Sequence, residues 1–416
     1  MNSLENSLAP ILLPLSSLRL FQLPRATRLA LEMLDRLQGG ALAVELPHGV
    51  RVRTGHGPLV AHLRVRDHAV FDDVLARGDI GFAESWMDDQ WSTDDLAALL
   101  TLLSKNRAEL ADAIHGRMLR LIGHRLTHLL RANTRSGARR NIEAHYDLGN
   151  DFYRLWLDPT MTYSSAVFDS SNESLEAAQL RKYRRILAQL DAKPGQTILE
   201  IGCGWGGFAE VAATEFGCRV LGLTLSPAQL AFARERAERG GYADKVDLEL
   251  CDYRDVRGSY DHIVSIEMIE AVGERFWPTY FAQLSARLKP GGRCVVQAIT
   301  IADELFARYR RGTDFIQRYI FPGGMLPCPK SVGEQARKAG LAIVGDFAFG
   351  PDYARSLAHW HRSFEAQLGA VRAQGFDERF IRMWRFYLAY CEAGFNSGDV
   401  DVHHYVFAHA GEGGRG

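Results

Sequence analysis

The sequence has little cysteine, and none of it is paired by spacing. Six cysteines in 416 residues (203, 218, 251, 294, 328 and 391) all fall from residue 203 onward, with no C-x-x-C pair and no metal-ligand spacing. That excludes a disulfide framework and offers no metal site; it reads as buried free thiols in a reducing compartment. Excess charge is missing too. With 49 basic against 50 acidic residues, the overall balance lends no support to a nucleic-acid partner. Long apolar runs are absent: the stretch from Leu8 to Leu23 is broken by Pro10, Pro14 and Arg19, and Glu5 precedes any basic residue. This argues against a secretory signal or a membrane span, so the chain reads as cytoplasmic. There are no internal repeats, and only the glycine-rich tail 411–416 reads as disordered.

What is present centres on Thr197–Gly207. Its first half, Thr197-Ile198-Leu199-Glu200-Ile201, is the short β-branched run of a buried parallel strand. Gly202, Gly204, Gly206 and Gly207 follow and lead into the helix former Phe208–Ala213. Strand, glycine turn and helix bring backbone N–H groups and a helix N-terminus to a ligand. A dinucleotide site would place an acid about 20 residues on, at the end of the second strand. The second strand, Val220–Ser226, ends without one, and the acid is Glu200, before the glycines. A carboxylate there suits a ligand with an amino group and a sulfonium, S-adenosylmethionine rather than NAD.

The organisation around this stretch reads as α/β. Residues 141–410 carry strand candidates at 197–201, 219–225, 246–250, 261–266, 292–298 and 342–347, with helices between most of them. That implies a mostly parallel sheet. An aromatic insertion at 301–330 is expected to lid the site, followed by helices at 353–373 and 377–395. Residues 1–130 read as a small α+β domain, with a helix at Arg25–Leu37 and half-buried antiparallel strands at 41–46 and 61–66. Its end is basic: between Thr101 and Arg140 nine Lys or Arg face two acids, interleaved with leucines. This is either a solvated linker helix or an interfacial helix for anionic lipid headgroups. A flexible joint is expected at 131–140.

Ligands of an open parallel sheet bind beyond the carboxyl ends of its strands. That gathers Glu200, Ser226, Asp252, Glu267 to Glu270 and Gln297 around one crevice. Asp252 and Tyr253 can hold an adenine, and Gln229 a ribose hydroxyl, while Ser226 and Pro227 start a helix as cap and first turn. Glu270 lies further beyond the strand end than Glu267 and is the better catalytic candidate. A second dense polar and aromatic segment runs through His145–Tyr153 and Met161–Ala166.

The segments His145–Phe152, Tyr163–Ala166, Leu199–Gly207, Thr224–Gln229, Asp252–Asp255, Met268–Gly273 and Tyr319–Pro322 resemble the cyclopropane fatty acid synthases and the related mycolic acid methyltransferases. The resemblance implies a Rossmann-like class I methyltransferase domain and S-adenosylmethionine contacts at Tyr163, Ser164, residues 198–206, residues 224–229, Asp252 and Tyr253. It implies transfer of a one-carbon unit to the double bond of unsaturated phospholipid acyl chains, giving cyclopropane fatty acids. Peripheral association with the inner face of the membrane and a homodimer also follow from it. Aromatic faces at Tyr163, Phe168, Tyr319 and Phe321 are candidates to stabilise a carbocation. In the family the proton goes to a bound bicarbonate held by a cysteine, a glutamate, a histidine, a tyrosine and backbone. Glu270, Tyr319 and the Ile299 backbone match that set, and His145 joins the catalytic candidates. Ser165 stands at the cysteine position and Gln297 at the histidine position, which puts bicarbonate in question. A different proton loss would give a methyl- or methylene-branched chain.

Overall fold

A computed structural model describes residues 12–114 and 148–411. The chain divides into two compact units, Met1–Gly123 with Phe376–Ser397, and His124–Gly375 with Gly398–Gly416. His145, most of the basic stretch, the expected linker 131–140 and residues 412–416 lie outside the described residues.

The first unit holds a five-stranded sheet in the order β1-β3-β2-β4-β5: β1 (Leu13–Pro14), β2 (Gly40–Glu45), β3 (Arg51–His56), β4 (Leu59–Val65) and β5 (Trp91–Thr93). The expected strands exist, but β2 is buried along nearly its whole length and runs parallel to β4. Its small and aliphatic residues Ala41, Leu42, Ala43 and Val44 face packing on both sides, so β2 is central, with β3 as its antiparallel neighbour. The helix expected at Arg25–Leu37 closes at Leu34. The long helix Glu378–Ser397, expected in the methyltransferase domain, packs here instead. Its Arg382 carbonyl accepts from the Trp86 indole at 2.8 Å, and its Tyr390 hydroxyl donates to Asp79 at 3.0 Å. The tryptophans of 78–91 are therefore packing residues: Trp91 is fully buried and stacks on Phe82.

The second unit is a seven-stranded sheet of order β11-β12-β10-β9-β6-β7-β8. Its strands are β6 (Thr197–Ile201), β7 (Arg219–Thr224), β8 (Val246–Leu250), β9 (Tyr260–Ile266), β10 (Leu288–Ile301), β11 (Leu341–Ala348) and β12 (Val400–His409). Five run parallel from β8 to β10, and β12 inserts antiparallel between β10 and β11. No expectation covered β12; Asp401, His403 and His404 interrupt its apolar pattern. The segment Leu288–Gly292 is the bulged start of β10, with a register shift before Arg293. The helix expected at 353–373 is two, Gly350–Ala366 and Leu368–Ala373.

Helices cover both faces, as a parallel sheet requires. Leu175–Leu190 and Gly207–Thr214 bury Ile186, Leu187, Phe208 and Val211 against Ile198, Val220, Val264 and Val295. Trp277–Arg287 buries Trp277, Tyr280, Phe281 and Leu284 on the opposite side. Each such side chain contributes about 1.5–3 kcal/mol relative to exposure. The functional loops are thus held at the carboxyl ends of β6, β7, β9 and β10.

Candidate active site

The glycine turn follows β6 directly. Gly202, Gly204 and Gly206 have φ of 88°, 51° and 81°, left-handed values that let the backbone double back before the helix Gly207–Thr214. A Cβ on Gly202 would lie 3.2 Å from Met268, so the turn also packs tightly against the loop after β9. Trp205 is pinned from outside: its indole N–H donates to Asn150 Oδ1 at 2.8 Å, and Asn150 Nδ2 donates to the Ala228 carbonyl at 3.1 Å. Asn150 therefore ties the 150–154 helix to both the glycine turn and the turn after β7.

In that second turn Ser226 caps its helix, accepting from the Gln229 amide at 3.3 Å. Gln229 is buried, and its Oε1 accepts from the Thr224 hydroxyl at 3.1 Å. The side chain expected to reach a ribose is thus turned inward and braces the turn. Asp252, expected at an adenine, is gripped by Arg254, whose Nη2 lies 2.5 Å from Oδ2. Tyr253 beside it is half-buried and meets Tyr280 edge-on.

Glu200 at the end of β6 is buried, and its Oε2 has no hydrogen-bond partner. Burial pushes its carboxyl well above the usual range, opposed by Lys182 and Arg236. Lys182 is fully buried and donates to Ser164 Oγ at 2.6 Å. Desolvation lowers its ammonium to about 7, while Glu267, Asp158 and Glu200 pull it back up. Nothing in its sequence neighbourhood marks Lys182, since it occupies an ordinary position on an amphipathic helix.

The strongest convergence is at Glu267. Its Oε1 accepts from the Ser165 amide at 2.9 Å and from Gln297 Nε2 at 2.7 Å, and its Oε2 accepts from the Tyr353 hydroxyl at 2.6 Å. Gln297 is in turn held by His404, across from it on β12, at 2.9 Å. Glu270 receives the Ile299 amide at 2.6 Å, while its Oε2 is buried without a partner. Burial, and then the neighbouring Glu267, push Glu270 up to about 8. So Ser165, Gln297, Ile299 and Glu270 come together as expected. Tyr353 joins the cluster through Glu267; Tyr319 lies on the π-helical turn Ile316–Ile320, with its ring against Phe315. Neither Tyr353 nor His404 was expected, because each is carried by an element distant in sequence.

Tyr163 sits in a ring cage, with centroids of Tyr153, Trp156, Trp360 and Phe321 at 5.5, 5.4, 5.5 and 6.5 Å. Phe168 lies outside it, stacked on His359 with the Arg355 guanidinium over its ring.

This arrangement can be set beside known proteins. A family model described as mycolic acid cyclopropane synthetase matches residues 133–405. The chain belongs to this family. It is 42% identical over 353 residues to the tuberculostearic acid methyltransferase of Mycobacterium tuberculosis, covering 82% of each chain. It is 35% identical over 367 residues to the cyclopropane-fatty-acyl-phospholipid synthase of Escherichia coli strain K12, covering 86% of this chain and 91% of the other. A solved mycolic acid cyclopropane synthase complexed with SAH and CTAB superposes with a TM-score of 0.61 at 32% identity, covering 65% of this chain and 97% of that one. The protein is therefore an S-adenosylmethionine-dependent methyltransferase of the lipid-modifying kind.

The residues present suit that methyl donor. The partnerless Glu200 oxygen beside three left-handed glycines offers an acceptor and an open backbone cradle to a cationic amino group. They do not suit a free bicarbonate in addition. Of the groups expected to hold it, the Gln297 amide already donates to Glu267, the Ile299 amide to Glu270 and the Ser165 hydroxyl to the Ala166 carbonyl. Another anion there would meet two carboxyl groups, with those donors already engaged.

Proposed function

We propose that the enzyme transfers the methyl group of S-adenosylmethionine to the double bond of an unsaturated phospholipid acyl chain, and that proton loss then closes a cyclopropane ring. The observation that carries this reading is the five-ring cage of Tyr163, Tyr153, Trp156, Trp360 and Phe321, on the same 163–165 segment that donates to the buried carboxylate. An alkene needs no base before it attacks a sulfonium methyl. It needs alignment in a dry pocket, and afterwards a way to hold positive charge on carbon and to remove a proton. Aromatic faces supply the second requirement, at about 1–2 kcal/mol each when desolvated. S-Adenosylmethionine supplies the electrophilic methyl. Glu200 would hold its amino group, Tyr163, Ser164 and the glycine turn its methionine end, and Asp252 with Tyr253 its adenine end.

A second product, a methyl- or methylene-branched chain, is favoured by the relative named a tuberculostearic acid methyltransferase. Incubation with labelled S-adenosylmethionine and dioleoyl phosphatidylglycerol vesicles tests the reaction, and proton NMR of the released fatty acid separates a ring from a branch. Absence of label in the lipid would defeat the reading. Peripheral docking through the basic stretch up to Arg140, on the inner face of the membrane, and a homodimer belong to the same proposal. Vesicle flotation and sedimentation velocity test them.

A further inference from the structure

The half-buried acid Glu267 is given no chemical step in the readings above. Three donors from three separate elements converge on it: a backbone amide (Ser165), a side-chain amide (Gln297 on β10) and a phenol (Tyr353). Its backbone is left-handed, with φ of 47°, a conformation that strains a residue bearing a side chain. The fold keeps a carboxylate at a position where glycine would sit without strain. Every group bonded to it is a donor, an arrangement that favours the carboxylate form; burial pushes its carboxyl above the ordinary range, while the bonds from Tyr353, Ser165 and Gln297 and the charge of Lys182 pull it back down. Glu270, which takes the Ile299 amide and leaves its other oxygen orphaned, is the member of the pair that carries a proton. Glu267 also keeps part of its surface accessible.

We propose that the Glu267 carboxylate is the proton acceptor of the reaction, standing where the family places a free bicarbonate, so that turnover needs no added anion. This rests on the methyl-transfer reading. The alkene pair forms a bond to the methyl carbon while the carbon–sulfur pair stays on sulfur. A C–H bond of the resulting cation then breaks, its electron pair closing the ring or forming a double bond, and its proton goes to Glu267. An ionised carboxylate has about four acceptor sites. Three are occupied here by Ser165, Gln297 and Tyr353, leaving one for the proton.

The test uses the purified full-length enzyme and dioleoyl phosphatidylglycerol vesicles in carbon-dioxide-free buffer, with and without bicarbonate, together with 13C NMR of labelled bicarbonate. The expected results for the parent are equal turnover in both buffers and no bound bicarbonate signal. Glu267→Gln should lose about 100-fold or more in kcat, the scale of one general base, with S-adenosylmethionine affinity kept. Glu267→Gly, relieved of the left-handed strain, should bind labelled bicarbonate and regain rate with it in a saturable way. Bicarbonate-dependent turnover in the parent, a bound signal in the parent, or a Glu267→Gln enzyme as active as the parent would each overturn the assignment. If the parent methylates no lipid, the functional reading fails, and the binding comparison of parent with Glu267→Gly still decides whether Glu267 fills the anion site.

Discussion

Gln297 on β10 and His404 on β12 face each other across an antiparallel pair, with His404 Nε2 2.9 Å from Gln297 Oε1. Gln297 donates its own amide to Glu267, so its oxygen is the acceptor and His404 carries its proton on Nε2. Burial holds the imidazole well below its ordinary value, helped by Arg185, Lys182 and His403. A neutral histidine thereby orients the amide that orients the carboxylate.

His404 makes stability pH-dependent in a known direction. The unfolded chain binds a proton on this histidine below about pH 6.5 and the folded chain does not, so stability is lost as pH falls through that value. Urea unfolding at pH 7.5 and 5.5 should show a smaller loss for His404→Asn than for the parent. An equal loss would mean that the imidazole is charged in the fold.

Lys182 lies among Glu267, Asp158 and Glu200. Lys182→Met removes a cation from beside the ionised carboxylate, so that carboxylate should take its proton at higher pH. The acid limb of the kcat profile should move upward relative to the parent. Circular dichroism checks that the variant folds, since unpairing a buried charge can cost about 3–5 kcal/mol.

Glu270, raised to about 8, is protonated at neutral pH. Glu270→Gln should abolish any alkaline limb of the kcat profile near that value, because the amide cannot ionise. The drop in kcat should be smaller than for Glu267→Gln.

Gly202→Ala should weaken S-adenosylmethionine binding more than Gly204→Ala. Gly202 combines φ of 88° with a Cβ contact at 3.2 Å to Met268, whereas Gly204 has φ of 51° and open space. Calorimetry should show about a 10-fold or greater loss for the first, equivalent to roughly 1.4 kcal/mol, and a smaller one for the second.

Asn150→Ala removes the acceptor of the Trp205 indole and the donor to the Ala228 carbonyl. Each such bond contributes about 1 kcal/mol, so cofactor affinity should fall several-fold to about 10-fold with kcat nearly kept. A fall in kcat with unchanged affinity would show that Asn150 serves the lipid side instead.

The strand–glycine–helix unit at 197–214 was legible in the sequence because its signals are local: β-branched residues, then glycines where φ must be positive, then helix formers. The parallel direction of β6, β7, β8 and β9 followed from alternation with helices. Strand β12 was not legible, because its polar residues point to partners on β10 and β11 that lie far along the chain. The helix Glu378–Ser397 was placed in the wrong unit for a related reason: its apolar stripe shows that it packs, but not against what.

The sequence by itself determined the methyltransferase family and the cofactor turn, since neighbours in the chain build that turn. It did not decide how the two carboxyl groups of the site are surrounded. Glu267 and Glu270 are the same residue type three positions apart, yet one collects donors from positions 165, 297 and 353, while the other receives the amide of Ile299 and keeps an orphaned oxygen. Charge inside a protein is set by the donors that surround it, and only the tertiary structure brings those donors together.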